Sequence, residues 1–182
     1  DDTVGGDDNL DGGATRPLPG SWRLVVNAGA TLDANGFTRM RYNARTFGGV
    51  LAASDTWTGD TLRLITETVV VPSGVTLTLD PGAILKFEPN QGLTVQSGGR
   101  LVLRGNVADP VILTSARDDT AGGDSNADGT RSKPAAGDWR SVRFEAGAAG
   151  EIDHAEIRFG GNSVGNPWGA GGAIEALGSP LT

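Results

Sequence analysis

Asp124, Asn126 and Asp128 stand at alternate positions and are followed at once by Gly129. In a tight loop, alternate spacing turns three oxygen-bearing side chains toward one point, and the glycine permits the sharp bend that follows. Oxygen donors without His or Cys suit calcium rather than zinc, and Asp-x-Asn-x-Asp-Gly matches the first half of a calcium loop. Asp7, Asn9, Asp11 and Gly12 repeat the arrangement. The bidentate Glu that closes an EF-hand loop is missing, its place being held by Ala135 in one copy and Leu18 in the other. The remaining ligands to a Ca2+ ion are therefore expected from Asp118 and Asp119, and from Asp1 and Asp2, with backbone carbonyls and water completing the set. Modest affinity and a structural role follow from the lack of flanking helices. An acidic surface turn uses the same residue types. Retention of Asp, Asn, Asp and Gly in both copies, while their neighbours change, favours the ion.

The two loops belong to a longer repeat. Residues 1–23 align without a gap on residues 118–140 at an offset of 117, with 13 of 23 positions identical, among them Pro17/Pro134, Gly20/Gly137 and Trp22/Trp139. The correspondence extends from 1–49 to 118–161, where both copies end in aromatic, Gly-Gly-bearing stretches.

Elements that could position such loops are read from residues 62–117, where apolar residues alternate in short runs bounded by Gly, Pro, Asn and Asp. Val75, Leu77, Leu79, then Ile84 and Phe87, then Leu93 and Val95, then Leu101 and Leu103 give the period of two expected of strands with one buried face. No segment carries a helical period. Segments starting at Gly74, Gly92 and Val111 are spaced by 18 and 19 residues, which describes regular solenoid coils of 18–20 residues, each strand pairing with its counterpart one coil later. An antiparallel sandwich also yields short strands with frequent turns, but the one-way, near-constant spacing favours the solenoid. The expectation is a single all-β domain over 1–182, a right-handed parallel β-helix (β-solenoid) with long calcium-loop-like insertions, either a fragment or a stacking unit.

Composition agrees. The 182 residues include 29 glycines and no cysteine, with 37% apolar residues and a net charge of −7. The glycine content argues against a helical bundle, and the charge repels nucleic acid and anionic lipid while inviting divalent cations. No apolar run approaches the ~20 residues of a membrane-spanning helix.

Other chemistry-bearing residues are sparse. His154 is the only histidine, so neither a His-based metal cluster nor a Ser-His-Asp set is expected. It reads as a half-exposed strand residue sharing a face with Ile152 and Glu156. Trp22 and Trp139 recur at one place in the repeat and read as packing that seats each loop. Trp57 and Trp168 lie in polar, Gly-rich stretches and are the better candidates for stacking on a sugar, although packing accounts for them more simply. Asp153 and Glu156 are the acid pair that a glycoside hydrolase would need. Arg140, Arg143 and Arg158 nearby read as a solvated charge ladder.

The run from Val71 to Ala148, with its coils PSGVTLTLDPGAILKF, GRLVLRG, ILTSARDDTAGGD and GDWRSVRF, resembles the right-handed parallel β-helix repeat regions of large bacterial secreted and cell-surface proteins. The resemblance implies a β-helix exported from the cell, extracellular or at the bacterial cell surface. It implies no chemistry, since such folds serve as scaffolds and as enzyme platforms. The expectation is a non-catalytic, calcium-stabilised module of an adhesin, surface protein or filament, whose partners are copies of itself stacked end to end or flanking coils of a longer chain. The alternatives are a polysaccharide lyase or glycoside hydrolase, and a module that binds surface glycans.

Overall fold

The computed structural model describes residues 45–162, 171–178 and 181–182, together with the strands at 23–25, 30–33 and 39–42. Every element is a strand, and no helix occurs among the described residues. The chain falls into two units, 1–43 and 44–182, where the sequence led us to expect one solenoid over 1–182. In the first unit, β1 (Arg23–Val25), β2 (Ala30–Asp33) and β3 (Arg39–Tyr42) form an antiparallel sheet. The links 26–29 and 34–38 are of hairpin length, too short for a parallel return and suited to antiparallel neighbours. The parallel arrangement belongs to the second unit.

That unit is built from three parallel ladders visited in a fixed order. On the first ladder, β5 (Asp55–Trp57), β7 (Thr76–Leu79), β10 (Arg100–Arg104) and β13 (Ala149–Asp153) pair in sequence, and Leu181 bridges to Gly150 beyond them. The second holds the first halves of β4 (Arg45–Val50) and β6 (Arg63–Val71), then β8 (Ile84–Phe87), β11 (Val111–Ser115) and β14 (Ala155–Ile157). The second halves of β4 and β6 begin the third, which continues through β9 (Leu93–Val95), β12 (Val142–Phe144) and β15 (Ile174–Ala176). Because β4 and β6 run through both, the second and third ladders join into one eight-stranded sheet. This all-parallel, curled arrangement is compatible with a β-solenoid.

The pairing register gives the expected coil length of 18–20 residues only for the turn from β4 to β6, and longer turns after it. Arg45 pairs with Arg63 and Val50 with Val70, a turn of 18 to 20 residues, but Asp55 pairs with Leu77, Leu77 with Leu101 and Leu85 with Leu113, turns of 22, 24 and 28. The intervals of 18 and 19 residues instead carry the chain past two of the three ladders. A period-two pattern marks strands but not which ladder each belongs to. The alternation was also misplaced in β8, where Leu85 and Phe87 point inward and Ile84 and Lys86 outward. The third turn is far longer, since Leu101 pairs with Gly150. Its extra length is residues 116–141, between β11 and β12, where the second calcium-loop sequence lies.

Inward side chains stack in register. Leu77, Leu79, Leu85, Leu93, Val95, Leu101, Leu103 and Leu113 are fully buried in one cluster. Where Phe144 needs room the partner shrinks: a Cβ on Gly150 would come within 2.6 Å of the Phe144 ring. Corners repeat as well. Gly74, Gly98 and Gly147 have φ of 76°, 75° and 83°, a region open to glycine without steric cost. Each amide donates to the next carbonyl, Gly74 to Gly98 and Gly98 to Gly147, at 2.9 Å.

Truncating a side chain at the middle of this stack removes contacts with the turn above and the turn below. Leu101→Ala is expected to lower unfolding free energy by about 2–5 kcal/mol without changing the denaturant slope, measured by urea titration of the tryptophan emission.

Candidate functional site

The ladders position the site through one outward row. Outward positions of adjacent turns align Leu64 with Lys86 and Lys86 with Thr114. Such a row normally faces water, yet Lys86 and Thr114 are both 0% exposed. The cause is the excursion after β11, which folds back over the second ladder. Ala121 is buried, and Gly122 lies so close to Leu62 that a Cβ there would meet its Cδ1 at 2.4 Å. Leu62, Ile84 and Ala121 thus give the cover an apolar patch, and the polar groups beneath it must find partners.

Two aspartates fasten the cover to the strand. Asp118 is fully buried. Its Oδ2 accepts from Thr114 Oγ1 at 2.7 Å, and its Oδ1 from Thr120 Oγ1 at 2.5 Å and Thr120 N at 3.1 Å. Arg158, one turn on, stands 3.7 Å from Oδ2. Burial pushes this carboxyl up, but the hydrogen bonds from Thr120 and Thr114 and the Arg158 charge outweigh it and hold it below the usual range. Asp138 does the same at the far end: Oδ2 accepts from Ser115 Oγ at 2.7 Å and Ala135 N at 3.0 Å, and Oδ1 from Arg117 at 2.9 Å. Trp139 follows immediately, fully buried, stacked on Phe87 with centroids 4.3 Å apart and donating Nε1 to the Arg158 carbonyl at 2.8 Å. It seats the end of the loop, as its recurrence in the sequence suggests.

Between these fasteners the Asp-x-Asn-x-Asp-Gly segment closes on itself. Asp124 accepts from Asp128 N at 3.2 Å and Gly129 N at 2.9 Å, and Asn126 Oδ1 also accepts from Asp128 N, at 3.3 Å. Asn126 Nδ2 and Ser132 Oγ both donate to Asp128 Oδ2. The Ser132 hydrogen bond, foremost, keeps the Asp128 carboxyl below its usual range. Two carboxylate oxygens here, Asp119 Oδ1 and Asp128 Oδ1, are buried with no hydrogen-bond partner. Burial, then the charge of Asp124, raises the Asp119 carboxyl above its usual range, with Lys86 opposing. Lys86 reaches in from the strand and donates Nζ to the Gly123 carbonyl. Burial lowers its ammonium, against the pull of Asp119, Asp118 and Asp124.

The structure therefore separates the five residues expected to act together. Asp124, Asn126 and Asp128 share one turn, Asp119 lies within its field, and Asp118 is committed to the strand. Among the described residues, no group of three or more His, Cys, Asp or Glu side chains is gathered into a ready-made metal site. The two unpartnered oxygens do fit a hard cation, which favours several oxygen donors. Asp1, Asp2, Asp7, Asn9 and Asp11 lie outside the described residues, as do Trp22 and Trp168.

Lys86, Thr114, Ser115 and Asp138 were not singled out from sequence. A lysine on an outward strand position reads as solvated, and only the apolar outward neighbours Ile84 and Leu62 hint that something covers it.

The other expected features resolve as packing. Trp57 is not an exposed platform: it is 1% exposed, tilts against Phe47 with centroids 5.0 Å apart, and donates Nε1 to Asp55 at 2.7 Å. The guanidinium of Arg63 lies 4.9 Å from its ring centroid. His154 sits at the corner between β13 and β14 with φ of 42°, not within a strand, and contacts Asp153 Oδ1 at 2.5 Å. Of the proposed acid pair, Asp153 is thus engaged by His154, and Glu156 by Arg158. An open depression of about 390 Å³ is lined by Ser54, Asp55, Thr56, Thr76 and Thr78, with a single carboxylate.

Comparison with protein-family models, with curated proteins and with solved structures gives no match.

The cover makes the two lysines of the chain a built-in probe. Lys133 is exposed, whereas Lys86 lies under the loop. Under limiting amine acylation read by peptide mass spectrometry, Lys133 is expected to react at least about tenfold faster than Lys86, in proportion to the suppressed opening of the loop.

Proposed function

We propose that this chain is a non-catalytic structural module, a right-handed parallel β-helix from an extracellular or cell-surface protein of a bacterium, whose inserted loop is stabilised by calcium. Handedness follows from the strong right-handed preference of parallel crossover connections. The observation that carries the calcium reading is the pair of buried, unpartnered oxygens on Asp119 and Asp128, beside a turn whose Asp124 and Asn126 offer two more oxygen ligands. Asp118 supports the site by joining strand to loop, its oxygens accepting from Thr114 and Thr120.

The same chemistry favours a scaffold over an enzyme or a sugar-binding module. Trp57 is buried, and the open depression holds one acid where hydrolysis uses two. Ile174, Leu177 and Leu181 are 38–39% exposed at the far end of the ladders. Apolar surface there suits a flanking coil or the end of a second copy, with parallel pairing continued across the junction.

Thermal melts in calcium and in chelator test the reading. Calcium at 100 times its dissociation constant is expected to stabilise the fold by about 2.7 kcal/mol, and Asp119→Asn with Asp128→Asn to remove that gain. Melting temperatures identical in calcium and chelator would overturn the assignment.

A further inference from the structure

Lys86 is at odds with an ordinary calcium loop. A buried ammonium beside carboxylates occupies the electrostatic position of a cation, and the chain supplies it from the strand rather than from the loop. Its partner is informative: Nζ donates to the carbonyl of Gly123, the residue immediately before Asp124. A backbone oxygen that the loop could turn toward an ion is thereby engaged, and the loop is tied to β8. Asp118 has a separate counter-charge in Arg158, 3.7 Å away. Lys86 is held at the carbonyl that precedes Asp124 and feels the charge of Asp119 first, then of Asp118 and Asp124, and Asp119 keeps a buried oxygen with no hydrogen-bond partner. Neutralisation is therefore incomplete. Internal hydrogen bonds and the Lys86 tether shape the loop, and Asp119 Oδ1 is left as an oxygen donor with no hydrogen-bond partner.

We infer that Lys86 is a tethered ammonium that preorganises the loop in the absence of calcium and competes with the ion for the Asp119–Asp124 cluster. This rests on the calcium reading above and deepens it. The site is then a weak one, suited to the millimolar calcium outside cells, because a fixed positive charge opposes a doubly charged ion while the acidic ligands attract it.

Calorimetric calcium titration of the whole chain at one pH tests the inference, with the wild type compared against Lys86→Gln, Lys86→Met and the surface control Lys133→Gln. Glutamine removes the charge while keeping an N–H donor on a side chain one atom shorter. Removing a neighbouring unit charge is expected to tighten calcium binding by about tenfold or more, with Lys133→Gln binding like the wild type. In chelator, amide exchange over residues 116–138 is expected to quicken in Lys86→Met and to slow again when calcium is added. Methionine supplies the second reading should the glutamine variant not fold.

A wild type silent to calcium would overturn the calcium reading and with it the inference, whatever Lys86→Gln binds. Equal affinity in wild type and both Lys86 variants would overturn it and leave the calcium reading standing. Absence of calcium heat in all the proteins would overturn both.

Discussion

A parallel strand finds no hydrogen-bond partners in the residues next to it in the chain. Its amides and carbonyls remain unpaired until the chain has gone round and laid another strand beside it. The rest of the second unit depends on that constraint. It requires each turn to return in register, and so it selects the glycine column at 74, 98 and 147, whose backbones bond to one another as the strands do. It also makes the core a set of columns, in which Leu77 meets Leu101 and Leu101 meets Gly150. A large residue in one turn then dictates a small one nearby, as Phe144 does at Gly150.

Register also explains how a long insertion is tolerated. Residues 116–141 leave the second ladder at Ser115 and rejoin the third at Val142. The ends of the excursion are fixed by the same pairing that links Phe87 to Leu93 in the turn before, so its length adds little strain. Freedom in length is not freedom in position. Asp118 at one end and Asp138 with Trp139 at the other hold the excursion against the outer face of the second ladder. Covering that face converts an ordinary outward lysine into a buried one and an ordinary aspartate turn into a polar enclosure. Electrostatics that would be worth little in water gain weight there, because neither the ammonium nor the carboxylates can be fully solvated.

Legibility in the sequence followed the range of the interactions involved. Strands were readable because alternation is local: Leu77 and Leu79, or Leu101 and Leu103, are two residues apart. The aspartate turn was readable for the same reason, since Asp124, Asn126, Asp128 and Gly129 form their contacts within five residues. The length of a turn was not, because three short strands per turn look alike in pattern and only pairing tells which lies over which. Ile84 and Leu85 show the cost: both are apolar, and the choice of which faces inward is made by the partners at Ile112 and Leu113. Nor was the antiparallel sheet over Arg23–Tyr42 anticipated, since the two copies of the repeat diverge after Trp22 and Trp139 and the short strands there carry no mark of their pairing direction.

Residue type and spacing, then, were enough to establish an all-β chain of short strands, a long internal repeat and an oxygen-rich turn suited to a hard cation. Those properties arise from neighbours within a few residues. Tertiary structure alone decided that the loop lies back on the second ladder, that Lys86 from β8 holds the carbonyl just before its acidic turn, that Asp118 faces Thr114 rather than the turn, and that Trp57 is core. Each of these is a contact between chain segments brought together by register. Register is a property of strands meeting a whole turn apart, which no local pattern encodes.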